Sequence, residues 1–214
     1  LPSTIEFIRF DAFKNCTSLT KINIPSSVKT IGYYAFEGCI SLTKISIPSS
    51  VNKIDSCVFK GCSSLKQIEI FSDEIETEGN IFDGFKTIEI SEKMMKIPKK
   101  LFFKCSSLEE IKIPSNIKEI DADAFNGCTS LINVEIPNSV ERIKSNSFKE
   151  CKSLKHIVIP SSVTEIENDV FNGCTSLINV EIPNSVKKIG SNSFKDCTSL
   201  KKIVIPSSVT EIEN

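Results

Sequence analysis

Nine cysteines and one histidine are the residues of this chain best suited to ligate a metal or carry a nucleophile. Eight of the cysteines follow a Phe by three residues, as in Phe13-Cys16, Phe36-Cys39 and Phe59-Cys62, at a step of 23 residues (36 − 13 and 59 − 36). Structural zinc sites pair their cysteines two to four residues apart, and no such pair exists here, so no metal site is expected. Stacked rungs would bring successive cysteines near disulfide distance, but all eight point one way into apolar surroundings. Buried thiols acting as small hydrophobes are therefore predicted. Cys57 stands apart, two residues before Phe59, in a column otherwise holding Asp11, Tyr34, Asn80, Asp123, Asn146, Asp169 and Asn192. That column reads as polar and exposed, and Cys57 as either a reactive thiol or an incidental substitution. His156 falls on the outward side of a strand, where only Glu135 and Glu181 of adjacent rungs could approach it. General-base catalysis needs a nucleophile within hydrogen-bond reach, and none is apparent. The serines sit in turns such as Ser26-Ser27 and Ser161-Ser162, and no glycine-rich phosphate loop follows a strand. No catalytic residue, metal or cofactor is assigned, and the chain reads as no enzyme.

The unit that positions these residues is legible in Ser41 to Ile68. Lys44, Ile45, Ser46 and Ile47 alternate polar and apolar, the pattern of a half-buried strand. Pro48 then removes a backbone donor and ends the strand, as Pro25, Pro114, Pro137, Pro160, Pro183 and Pro206 do in other units. Val51 and Ile54 point inward from a short extended or 3-10 segment on the opposite wall, and a helical turn carries Val58, Phe59 and Cys62. The period marks a stacked array: an α/β solenoid with a parallel sheet on one face and short strand, 3-10 and helical turns on the other. Nine such strands about 4.8 Å apart would span roughly 40 Å. Residues 125–168 match 171–214 at 38 of 44 positions, so a two-unit block has been copied.

Residues 1–214 are read as one solenoid of about nine repeats, irregular at 71–105. There the Phe82 to Phe102 step falls to 20 (102 − 82), Phe85 takes the Leu role and Phe71 replaces the proline. An acidic stretch, Asp73 to Glu78, precedes Lys93, Lys96, Lys99, Lys100 and Lys104, which crowd around Met94, Met95 and Phe103. The chain opens on Leu1 and stops at Asn214, where earlier units proceed to their Phe, so a segment of a longer protein is expected. Its 26 basic and 27 acidic side chains give no net field to attract nucleic acid or an anionic membrane. No apolar run reaches the roughly 18 residues of a membrane span, and no secretory leader opens the chain.

The string from Leu19 to Leu42, L-x-x-I-x-I-P-x-S-V-x-x-I-x-x-x-A-F-x-G-C-x-S-L, resembles the BspA-like branch of the leucine-rich-repeat superfamily over essentially the whole chain. The resemblance implies a right-handed solenoid and a role at the cell surface or in secretion, as an adhesin or a ligand for host or matrix proteins. It also allows a binding array attached to another domain. The outward sheet face is the expected protein-binding surface, since packing does not dictate its residues. One column is read as Lys21, Lys44, Gln67, Thr87, Glu110, Asn133, His156, Asn179 and Lys202. The other is read as Asn23, Ser46, Glu69, Glu89, Lys112, Glu135, Val158, Glu181 and Val204. The rival reading is self-association through solenoid ends, because Ile203, Ile205, Val209 and Ile212 lack a polar cap.

Overall fold

The computed structural model describes residues 1–72 and 74–214; Asp73 of the acidic stretch lies outside the described residues. The apolar residues that alternate inward along the strands pair, parallel and mostly 23 residues apart, with those of the next unit: Ile45 with Ile68, Ile88 with Ile111, Val134 with Ile111. The main sheet has eight strands, in order Lys44–Ile47, Gln67–Ile70, Thr87–Ile90, Glu110–Lys112, Asn133–Glu135, His156–Val158, Asn179–Glu181 and Lys202–Ile203. The first unit contributes no strand here, so the expected ninth is missing and Lys21 lies outside the sheet. The opposite wall is built of two-residue strands in two sheets. One holds Phe7–Ile8, Thr30–Ile31, Lys53–Ile54 and Glu76–Thr77; the other runs from Lys96–Ile97 to Glu211–Ile212. Between the walls nine Phe rings, from Phe13 to Phe194, form a file with neighbouring centroids 5.1–5.9 Å apart. Stacked rings add about 0.5–1.5 kcal/mol per pair to their burial.

The predicted helical turns do not form; among the described residues there is no helix, and the architecture is a parallel-strand β-solenoid. Hydrogen bonding gives the reason. The amides of Asp11, Phe13 and Asn15 donate forward to the carbonyls of Tyr33, Ala35 and Glu37 in the next unit at 3.1, 2.8 and 2.7 Å. Those of Ala12, Lys14 and Cys16 donate three residues back. A helix needs every amide for its own axis, and here alternate amides are committed to the adjacent rung.

This alternation requires left-handed backbone on both sides of each Phe. The residue two before it has φ between 55° and 59° in all nine rungs: Asp11, Tyr34, Cys57, Asn80, Lys100, Asp123, Asn146, Asp169 and Asn192. Asn and Asp tolerate that region best among residues with a Cβ, which explains the column read as simply polar. It is half-buried in all rungs but the last, not fully exposed. The residue two after the Phe is also left-handed, and there Gly38, Gly61, Gly84, Gly127 and Gly173 prevail.

The short unit deletes three residues between Phe82 and its strand, and the sheet absorbs the loss by sliding. Gln67 pairs with Glu89 and Ile68 with Ile90, two residues away from the expected Gln67–Thr87 register. A slip of two keeps every side chain on its face, whereas a slip of one would turn Ile88 outward. The opposite wall parts at the same place. In six other rungs the residue after the wall isoleucine donates to the preceding unit, as Asp55 does to Ile31 (2.9 Å), Asp121 to Ile97 (3.0 Å) and Lys144 to Ile120 (3.0 Å). The corresponding residue here is Pro98, which has no N–H to give.

Candidate functional site

On the main sheet the slip rearranges both expected columns. Thr87, Glu110, Asn133, His156, Asn179 and Lys202 do share a row, but Gln67 is not its continuation. Gln67 instead continues Lys44 into the row of Glu89, Lys112, Glu135, Val158 and Glu181. Glu69 therefore does not abut Glu89 as the sequence suggested. It is half-buried, accepting hydrogen bonds from Ser46 Oγ at 2.6 Å and Lys44 Nζ at 2.9 Å, which hold its carboxyl below the usual range. Every other residue of the two columns except the half-buried Ser46 is exposed, including Lys21, Val158 at 57% and Val204 at 59%. Glu89, Glu110, Glu135 and Glu181 have no ion-pair partner among the described residues. Glu110, Asn133, Glu135, His156 and Val158 line an open trough of about 790 Å³. His156 lies in register between Asn133 and Asn179, and its ring makes no hydrogen bond among the described residues.

The opposite wall carries a pattern that the sequence reading missed. The residue before each wall isoleucine, from Lys53 onward, is Lys53, then Lys96, Glu119, Arg142, Glu165, Lys188 and Glu211, with Glu76 before Thr77 in the second rung. These eight alternate in sign without exception, and they were readable at fixed register in the repeat. Arg142 Nε meets Glu119 Oε2 at 2.5 Å, and Lys188 Nζ lies 3.9 Å from Glu165 and 3.8 Å from Glu211. Lys144 adds a second bond to Glu119 at 2.9 Å. Burial alone would raise the Glu119 carboxyl, but its bonds from Lys144 and Arg142 outweigh that and hold it below the usual range. Acids and bases on this wall, Glu76 apart, thus satisfy each other, whereas Glu89, Glu110, Glu135 and Glu181 of the sheet face are left to solvent.

The cysteine file is buried as expected in its interior and open at its two outermost rungs. Cys39, Cys62, Cys105, Cys128, Cys151 and Cys174 are buried, Cys197 is half-buried and Cys16 is exposed, because a rung with a neighbour on one side only is half covered. All nine are free thiols. The S–H of Cys62 donates to the carbonyl of Phe36 at 3.0 Å, and Cys128, Cys151 and Cys174 repeat the contact. Burial pushes the thiols of Cys62 and Cys105 up to about 12. Such groups are neither nucleophiles nor ligands at neutral pH. Cys57 is half-buried in its left-handed position, where Asn80 Nδ2 donates to its sulfur at 3.8 Å.

The comparisons with known proteins agree with this architecture. The profile of the BspA type leucine-rich repeat region matches residues 1–108 and 95–214 in six copies. The T. pallidum leucine-rich-repeat protein is 31% identical with a TM-score of 0.52, covering 86% of this chain and 76% of its own. The pneumococcal vaccine antigen PcpA, 21% identical over 98% of this chain and 66% of its own, shares the fold at a TM-score of 0.52. No curated protein sequence matches the chain. A repeat of one rung, the Phe and Cys files and a family match that spans the described array together make this chain a member of the BspA-type leucine-rich-repeat family.

Proposed function

We propose that the array is a non-enzymatic protein-binding module that engages its partner through the solvent face of the eight-stranded sheet. The observation that carries this reading is the contrast between the two walls. On the two-residue strands every charge but Glu76 has an ion-pair partner, while Glu89, Glu110, Glu135 and Glu181 stand exposed and unpaired among the described residues. Unpaired carboxylates beside the bare Val158 and Val204 suit a partner surface that is basic with apolar patches. No aromatic anchor marks the face, so many shallow contacts spread over several rungs supply the affinity. Placement at the cell surface or in secretion, with a host or matrix protein as ligand, follows from the resemblance to the family.

The test is binding of the 214-residue chain to immobilised extracellular-matrix proteins, with and without reversal of Glu89, Glu110, Glu135 and Glu181 to Lys. Saturable binding lost on reversal is the expected result. Saturable binding that survives reversal would exclude this face.

A further inference from the structure

The rung after the short unit holds an arrangement that no other rung shares. Both of its left-handed positions are lysines, Lys100 at φ 59° and Lys104 at φ 58°. Every other rung has Asn, Asp or Gly in at least one of the two. Lysine has no short polar group to bond its own backbone there, so both positions are strained. What the strain secures is a pair of ammonium groups over one ring: Lys100 Nζ lies 5.6 Å and Lys104 Nζ 5.2 Å from the centroid of Phe103. Thr77 Oγ1 donates to the Lys100 carbonyl at 2.9 Å and fixes that residue from the preceding rung.

The surroundings leave these cations free. Lys99, Lys100 and Lys104 have no ion-pair partner among the described residues. By contrast Lys53 and Lys96, which border the same recess, are engaged by Asp55 and Glu78 and by Glu74 and Asp121. The recess, about 570 Å³, opens where the two sheets of two-residue strands part, and Lys99 and Lys100 are among its lining residues. Strained backbone, unanswered charge and an open recess thus coincide on one rung.

We propose that Lys99, Lys100 and Lys104 form a docking patch for an acidic segment of a protein partner, separate from the sheet face. A peptide fits better than a continuous polyanion. Glu74, Glu76, Glu78 and Asp121 also line the recess and would repel the unbroken charge of a nucleic acid or sulfated glycan. A peptide can set two or three carboxylates over the lysines and present neutral or basic residues beyond them.

The experiment compares a fluorescein-labelled hexaglutamate peptide, heparin and single-stranded DNA as probes of the 214-residue chain at low ionic strength, where such contacts are least screened. The variant is the triple substitution Lys99→Ser, Lys100→Asn and Lys104→Gly, which places residues suited to left-handed backbone at both strained positions. The expected result is loss of hexaglutamate binding by about tenfold or more, together with a higher denaturation midpoint, since the strain is relieved. A variant that gains stability and still binds hexaglutamate like the parent overturns the proposal. So does a parent chain that binds no hexaglutamate, or that prefers heparin or DNA over a peptide of equal charge. Reversal of the sheet-face glutamates leaves hexaglutamate binding no weaker if the two surfaces are separate.

Discussion

Replacing Arg142 by Glu sets three carboxylates in a row along the two-residue strands, with Glu119 before and Glu165 after. The Arg142 side chain is 63% exposed, so the 2.5 Å contact with Glu119 must be discounted for solvent screening. Its loss and two new like-charge neighbours, each worth a few tenths to 1 kcal/mol across parallel strands, sum to about 1–2 kcal/mol. Glu119 keeps Lys144 at 2.9 Å and is not orphaned, which caps the figure. The matched perturbation on the other face is Glu181→Lys, whose row neighbours are Val158 and, in the next rung, Val204. No ion pair is lost there, and the expected change is within about 0.5 kcal/mol. Thermal melts in low and high salt measure both, and at this chain length 1–2 kcal/mol is about 2–8 °C. Arg142→Glu should recover part of its loss in 1 M salt. Equal costs for the two reversals would refute the claim that one wall spends its charges on the fold while the other keeps them for a partner.

Two further outcomes follow from burial and charge. In the native chain a thiol reagent at pH 8 should label Cys16 first and Cys57 and Cys197 slowly, with the six buried thiols reacting only after denaturation; rapid native labelling of Cys105 would contradict the packed file. Glu69, Glu119 and Asp121 have carboxyls held below their ordinary range, so the stability they contribute is full above about pH 4.5 and is lost as pH falls through their depressed values. Melts from pH 7 to pH 2.5 should show this decline, with a shallower slope for Glu119→Gln; stability that rises on acidification would count against the network.

The period of Phe, Cys and Leu was enough to place the core, because those residues are buried for the same reason in every interior rung. It was not enough to give the backbone path. Asn and Asp two residues before six of the nine Phe looked like a solvent-facing column, when their common property is tolerance of positive φ. The helical turn was inferred from inward spacing alone, and spacing cannot show that alternate amides are donated to the next rung. The binding columns were drawn by counting residues across a deletion, which misplaced Gln67 and Glu69 because the sheet can slide by two without exposing its core. Pro98 was visible throughout as a residue with no amide to give, but its meaning depended on knowing that this position donates in six other rungs.

The alternating wall also limits how such an array can lengthen. Arg142 and Glu165 recur as Lys188 and Glu211 in the copied block, so duplication by two rungs continued the sequence of signs. Copying a single rung would have put two like charges side by side at the junction, a penalty repeated at each later event. An array that keeps this alternation grows in pairs, and an engineered extension should add 46 residues at a time rather than 23.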